Sequence, residues 1–198
     1  MFSFLIAAIV LTDTWLLAPV GPRATAVVAV LLVVGTALLR AFKSGEWGLH
    51  RAAFLPSLWR TAAMTTVAAA AIAIAGSRAG TWHDPHDGWS RFAVLVPWGL
   101  GQQFALQTVF LRDAQRLAGK SGGILMAATV FAALHAPNPF LTAATFVGAL
   151  AWCWVYDRHP NLLPLAVSHA VLTLAILYAF DNDTIGGLRV GAAYLNRP

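Results

Sequence analysis

Charge, cysteine and glutamate are all scarce in this sequence. Of its 198 residues only 11% are charged, Cys153 is the only cysteine, and Glu46 is the only glutamate. A single cysteine excludes an intrachain disulfide and a zinc cluster built from cysteines. A charged fraction so far below the roughly 25% of soluble domains indicates that lipid, and not water, surrounds most of the chain.

Long apolar runs take the place of the missing charge. The chain is 59% hydrophobic and has a mean hydropathy of +0.68. A bilayer-spanning helix needs roughly 17 to 25 residues, and the candidate runs are Phe2 to Val20, Ala24 to Leu39, Thr61 to Ser77, Phe92 to Leu111, Ser121 to Ala136, Phe140 to Tyr156 and Asn161 to Phe180. Pro137 and Pro139 divide the uncharged stretch 121–156 into two helices. We therefore expect an all-α polytopic transmembrane bundle of about seven spans, forming a single integral membrane domain over residues 1–198.

Basic residues crowd two of the predicted loops. They are Arg40, Lys43, Arg51 and Arg60 in the second loop, and Arg112, Arg116 and Lys120 in the fourth. Because cytoplasmic loops carry an excess of Lys and Arg, we expect both loops and the N-terminus in the cytoplasm, with the chain in a bacterial inner membrane. The net charge of +5 then reflects the negative inner leaflet and requires no nucleic-acid partner. The stretch 41–60 fits either a short interfacial helix or an ordinary loop.

Three predicted spans carry polar side chains at membrane depth. At about 1.5 Å per residue, Gln102 and His169 lie about 16 and 17 Å from the outer face of the membrane, and His135 lies about 8 to 12 Å from it. Polar groups inside a bilayer usually mark function. The three spans are therefore expected to share one intramembrane site.

Three motifs of fixed order and spacing contain these residues. They read Gln102-Gln103-x-x-x-Gln107, Phe131-x-x-x-His135 and His169-x-x-x-Thr173. They resemble the Glu-Glu-x-x-x-Arg, Phe-x-x-x-His and His-x-x-x-Asn motifs of the CAAX prenyl protease and bacteriocin-processing family of intramembrane proteases. The resemblance covers roughly residues 92–180, the family-like core, and extends more weakly to Trp47-Gly48-Leu49. It implies an intramembrane endopeptidase that acts on a membrane-embedded peptide.

The resemblance also implies a role for each motif position. In that family the first glutamate activates a water for attack on the peptide carbonyl, while the two histidines and the asparagine hold the water and stabilise the oxyanion. The corresponding catalytic positions here are Gln102, Gln103, His135 and His169, and the supporting positions are Gln107, Phe131 and Thr173. An amide has no useful basicity, so the two glutamines cannot be general bases near neutral pH.

The arginine position of the first motif is an amide as well. Losing only the glutamates would leave an unpaired guanidinium in low dielectric, whereas Gln107 completes a neutral set that mutual hydrogen bonds can satisfy. We interpret the changes as coordinated, and they indicate a re-tasked or binding-only site. The glutamines also fit plain hydrogen bonds between helices.

Other residues are candidates to supply or support the chemistry. Asp13 is the only carboxylate within a predicted span and suits proton transfer, although a carboxylate at a helix end fits it too. Asn138 and Ser168 adjoin the two histidines and are candidate supporting residues. His135 itself also fits a cap on the helix that Pro137 interrupts.

Metal binding is not expected. Two histidines without a carboxylate or thiolate make a poor zinc set, so we predict no metal and no cofactor. A loop with His83, Asp84, His86 and Asp87 could hold a divalent ion, but it fits a solvated polar loop better.

Three classes of function remain open. The first is an intramembrane endopeptidase with an atypical site that lacks the glutamate base. The second is a re-tasked enzyme on an isoprenoid or another membrane lipid, and the third is a non-catalytic member that binds a peptide or a lipid. All three place a membrane-embedded peptide or lipid, and the bilayer itself, among the partners.

Overall fold

Helices make up most of the chain in the computed structural model, which describes residues 2–18, 22–83 and 88–196. The long helices are α1 (Phe2–Thr12), α2 (Pro22–Ser44), α3 (Phe54–Ala79), α4 (Gly88–Phe104), α5 (Arg112–Ala133), α6 (Pro139–Arg158) and α7 (Leu162–Ala179), followed by the short helices α8 (Asn182–Ile185) and α9 (Ala192–Leu195). Two π-helical segments, Asp13–Leu17 and Ala105–Leu111, continue α1 and α4. Strand pairing in these residues is limited to one isolated bridge, between Leu49 and Asn161. The predicted all-α class is confirmed.

Four helical stretches of the described chain are long and apolar enough to cross a membrane. They are Ala24–Ser44, Arg51–Ala79, Pro139–Arg158 and Leu162–Ala179, while the apolar stretch Phe2–Leu17 is shorter. Large apolar side chains on α2 are exposed, among them Val28, Leu31 and Leu32. Such a surface suits lipid contact, and the chain is an integral membrane protein.

Helix ends differ from the predicted spans in two places. Stretch 41–60 contains neither a separate interfacial helix nor a loop of that length, because α2 continues to Ser44 and α3 begins at Phe54, after a single 3₁₀ turn at Arg51–Ala53. Residues 112–120, expected to be a loop, are helical apart from a break at Gly119, where φ is 69°. In both places the helix continues past the apolar run into charged residues. Hydropathy alone does not predict these charged helix ends.

The prolines act as predicted. Helix α5 ends at Ala133 and α6 begins at Pro139, with turn residues between them. Asn138 Oδ1 accepts the Leu141 N–H at 3.0 Å, so Asn138 caps α6 and Pro139 occupies the first helical position, where a missing N–H costs little.

The contacts divide the chain into two compact units. The first unit comprises Met1–Trp47, Phe104–Cys153 and Leu188–Pro198. Within it the C-terminal segment holds the turn after α5: Asn138 Nδ2 donates to the Arg189 carbonyl at 3.1 Å, and the Gly191 N–H donates to the Ala136 carbonyl at 2.9 Å. Two polar groups of this partly buried turn are thus satisfied from a segment distant in sequence.

The second unit comprises Gly48–Gln103 and Trp154–Gly187 and is built on the packing of α3 against α7. Thr65 Oγ1 on α3 lies 2.6 Å from Ser168 Oγ on α7. Further along, Thr81 Oγ1 donates to the Ala179 carbonyl at 2.7 Å. Hydroxyl-bearing residues on α3 and just after its end thus form hydrogen bonds with α7, as is common between helices in lipid.

Backbone hydrogen bonds join the segment around Gly48 to the start of α7. The Leu162 N–H donates to the Gly48 carbonyl at 2.8 Å, and the His50 N–H donates to the Pro160 carbonyl at 3.2 Å. Gly48 has a φ of +68°, and a Cβ there would lie 2.7 Å from Leu162 Cδ1. Position 48 therefore requires glycine for both its backbone conformation and its space.

Candidate functional site

A contact between α4 and α7 brings two predicted site residues together. Gln103 is fully buried and His169 is 8% exposed, and Gln103 Nε2 lies 3.5 Å from His169 Nδ1. An amide NH₂ group only donates, so His169 Nδ1 is the acceptor in this contact. The second unit thus pairs a glutamine of the first motif with the histidine of the third.

Gly99 allows this close approach. It lies one helical turn before Gln103, and a Cβ at position 99 would lie 2.9 Å from the Ala166 carbonyl oxygen and 3.2 Å from His169 Cβ. Sequence reasoning did not identify Gly99. The spacing could have predicted it, because Gly99 lies four residues before Gln103 and so on the same helix face. Small residues on such a face indicate close helix contacts in membranes.

Gln102 presents a shielded hydrogen-bond acceptor. Its side chain is half-buried, and its Oε1 is shielded from solvent without a hydrogen-bond partner among the described residues. An unsatisfied buried acceptor costs about 1–3 kcal/mol. A ligand with an N–H donor would remove that cost.

The other predicted residues of α7 differ in their surroundings. Ser168 is buried, and its hydroxyl lies against Thr65 of α3. Thr173 is partly exposed and lies one turn beyond His169, as its spacing predicts. Ser168 therefore helps to fix the position of α7, next to the histidine.

His135 is held at the end of α5 in the first unit. Its Nδ1 lies 2.7 Å from the Phe131 carbonyl oxygen, and the two rings have centroids 4.9 Å apart. Because a carbonyl only accepts, Nδ1 carries a proton, and the lone pair of the neutral form of this ring is on Nε2. The bond also satisfies a terminal carbonyl of the helix, in agreement with the predicted capping role.

Gln107 and Asp13 both lie in π-helical segments of the first unit. All seven residues of Ala105–Leu111 are buried, Gln107 completely. Asp13 begins the segment Asp13–Leu17, and its Oδ1 is shielded without a hydrogen-bond partner in the described part of the chain. Wide helical turns of this kind frequently occur at functional sites. Neither π-helical segment is predicted by the hydropathy pattern.

The histidines and acidic residues do not form a metal cluster in the described ranges. No group of three or more His, Cys, Asp or Glu side chains within residues 2–18, 22–83 and 88–196 is placed to hold a metal ion. Of the loop considered above, Asp84, His86 and Asp87 lie outside these ranges. The convergence of all three motifs on one cavity stays a prediction.

The fold and the motif residues define an all-α integral membrane protein with amide and histidine side chains buried on its helices. A family model described as Rce1-like, type II CAAX prenyl endopeptidase Rce1-like, matches residues 102–175. The matched segment begins at Gln102 and extends just past Thr173, so it includes all three motifs. This match confirms the resemblance to the CAAX protease family, and the chain is a CAAX-protease-like membrane protein. Neither a curated protein nor a solved structure matches it.

Proposed function

We propose that this CAAX-protease-like protein binds a membrane-embedded peptide through Gln102, next to Gln103 and His169 of the second unit, and does not hydrolyse it. The observation that carries the proposal is the shielded Oε1 of Gln102, which lacks a donor in the described residues. A peptide segment that is unwound in the bilayer presents backbone N–H groups that must find acceptors in the protein, because lipid tails offer none. A peptide N–H group would therefore supply the donor that Gln102 Oε1 lacks.

The chemistry of the first motif supports binding over hydrolysis. A nucleophilic water must lose a proton to a base, and the amides of Gln102 and Gln103 cannot take it. The Gln103 side chain instead donates to His169, so that imidazole is engaged through its Nδ1. The Gln103 amide is neutral, and a neutral group is far less costly to bury than a charged one.

The second candidate function is catalysis with His135 as the base. Its support is the bond from Nδ1 to the Phe131 carbonyl, which leaves the basic lone pair on Nε2. Imidazole is the commonest general base near neutral pH. This candidate includes cleavage of a peptide and turnover of an isoprenoid or another membrane lipid.

The orientation belongs to the same proposal. We place the N-terminus and the basic ends of α2 and α5 in the cytoplasm, and the chain in a bacterial inner membrane. The support is the cluster of Arg40, Lys43, Arg112 and Arg116 at these helix ends.

Co-purification tests the proposed peptide site. The full chain is purified from cells in lipid nanodiscs, and bound peptides are identified by mass spectrometry. We expect peptides on the wild type that Gln102→Ala loses. Gln115→Ala is the matched control, because it makes the same change on α5, outside the three motifs, and it should keep them. Equal retention by wild type and Gln102→Ala, or bound lipid without peptide, would contradict the proposal.

Metabolic profiling separates the two candidates. Untargeted peptide and lipid profiles are compared for cells with the wild type, with His135→Ala and without the protein. The proposal expects no product that is present with the wild type and missing from both other strains. Such a peptide or lipid product would favour catalysis with His135.

A further inference from the structure

A basic cavity lies in the first unit, independent of the proposed peptide site. It has a volume of about 340 Å³, and it is lined by Phe2, Arg40, Lys43, Ser44, Asp113 and Arg116. These residues come from the start of α1, the end of α2 and the start of α5. Three cations and one carboxylate give the lining a formal charge of +2.

Arg40 is the buried centre of this lining. Its side chain is only 5% exposed, and neither its Nε nor its Nη2 has a hydrogen-bond partner in the described residues. The Arg40 Nη2 atom lies 3.6 Å from Asp113 Oδ1, which is an ion pair without a hydrogen bond. A buried guanidinium is costly unless its donors are satisfied, so this geometry lacks an acceptor.

Asp113 does not supply the acceptor that the Arg40 guanidinium lacks, because other residues also contact its two carboxylate oxygens. Ser3 Oγ donates to Oδ2 at 2.8 Å, and Arg116 Nη1 lies 3.7 Å from Oδ1. One carboxylate therefore faces two guanidinium groups and a serine. Lys43 adds a further positive charge to the lining.

We propose that this cavity binds the phosphate group of an anionic ligand, with Arg40 at its base and Lys43 and Arg116 at its rim. The planar guanidinium fork matches phosphate oxygens and forms charge-assisted hydrogen bonds with them. The phosphate belongs either to a lipid headgroup or to a soluble phosphate compound. The exposed apolar face of α2 leads to the helix end that carries Arg40, and basic pockets between membrane helices commonly receive headgroups.

Thermal unfolding of the purified full chain in detergent micelles tests this site. The probes are phosphatidylglycerol against phosphatidylcholine, and inorganic phosphate against chloride at equal ionic strength. We expect at least one phosphate anion to raise the Tm of the wild type. Arg116→Ala and Lys43→Ala, both at exposed positions, should each weaken binding about fivefold, from about 1 kcal/mol for each cation. Arg40→Gln should abolish binding.

Lys120→Ala is the matched control. It removes the same charge from an exposed position of α5 that does not line the cavity, so binding should stay within twofold of the wild type. A shift with phosphatidylglycerol alone identifies a lipid headgroup, and a shift with inorganic phosphate as well identifies a soluble phosphate compound. Absence of any shift overturns the proposal, as does equal weakening by Lys120→Ala and Arg116→Ala. Arg116→Ala and Lys43→Ala keep the test decisive even if Arg40→Gln does not fold.

Discussion

At the scale of single residues, Gln102, Gln103 and Gln107 are amides at positions that the resemblance matches to charged residues of CAAX proteases. Gln103 is fully buried and donates to His169, and Gln102 keeps a shielded acceptor. A carboxylate at either position would need a charged or strongly donating partner at that depth. We therefore expect that a single reversion to glutamate does not rebuild an active site.

Restoring the family's glutamate at position 102 tests this interpretation. Gln102→Glu alone should give no proteolysis, because the arginine position is still Gln107 and the new carboxyl lacks a charged partner from that motif. The measurement is cleavage of membrane-embedded reporter peptides by the variant in proteoliposomes. Robust cleavage by this single variant would show that the remaining residues already form a protease site.

A residue outside the membrane gives a pH-dependent prediction. The pKa of Asp181 is lowered by hydrogen bonds from the side chain and the backbone N–H of Thr184, with His83 contributing. The folded chain then holds this proton less tightly than the unfolded chain, so Asp181 stabilises the fold above the ordinary carboxyl pKa of about 3.9 and loses that effect as the pH falls.

Asp181→Asn isolates this contribution, because asparagine keeps the cap on α8 but carries no charge. The Tm of the variant should fall below that of the wild type near neutral pH. The difference should shrink as the pH is lowered through about 3.9 and below. A difference that is constant from neutral to acidic pH would contradict the assignment to the charge.

At the scale of helices, close approach depends on residues without side chains. A Cβ at Gly76 of α3 would collide with the carbonyl oxygen of Ala179 and lie 2.7 Å from its Cα. Gly99 plays the same part between α4 and α7. Because lipid provides no hydrophobic drive between helices, such packing contributes much of their association.

Gly76→Ala should therefore destabilise the protein by about 1–3 kcal/mol, because α3 and α7 would have to separate. Gly35→Ala is its control on α2, where a Cβ would meet nothing within 4 Å and helix propensity favours alanine by about 1 kcal/mol. Chemical unfolding in detergent measures both. Equal stability of Gly76→Ala and Gly35→Ala would contradict the packing of α3 on α7.

At the scale of the whole molecule, hydropathy and motif order predicted the helices and the family-like core. Long apolar runs are informative because a backbone in lipid must satisfy its own hydrogen bonds, and a helix does so within a single segment. Hydropathy could not give the α-to-π transition after Phe104 or the contact at Gly99, since these depend on how side chains of different helices fit together. Hydropathy also did not predict the charged helical ends of α2 and α5, including the buried Arg40, which pairs with Asp113 at the start of α5.

The most direct test of the central claim uses oxygen-18 water. Hydrolysis places a water oxygen in the new carboxylate of a peptide, whereas binding does not. Membranes containing the wild type, His169→Ala or no protein are incubated in labelled water, and their peptides are analysed by mass spectrometry. We predict no labelled carboxylate that depends on the wild-type chain. A labelled peptide that appears with the wild type and is missing from the other two membranes would contradict the account.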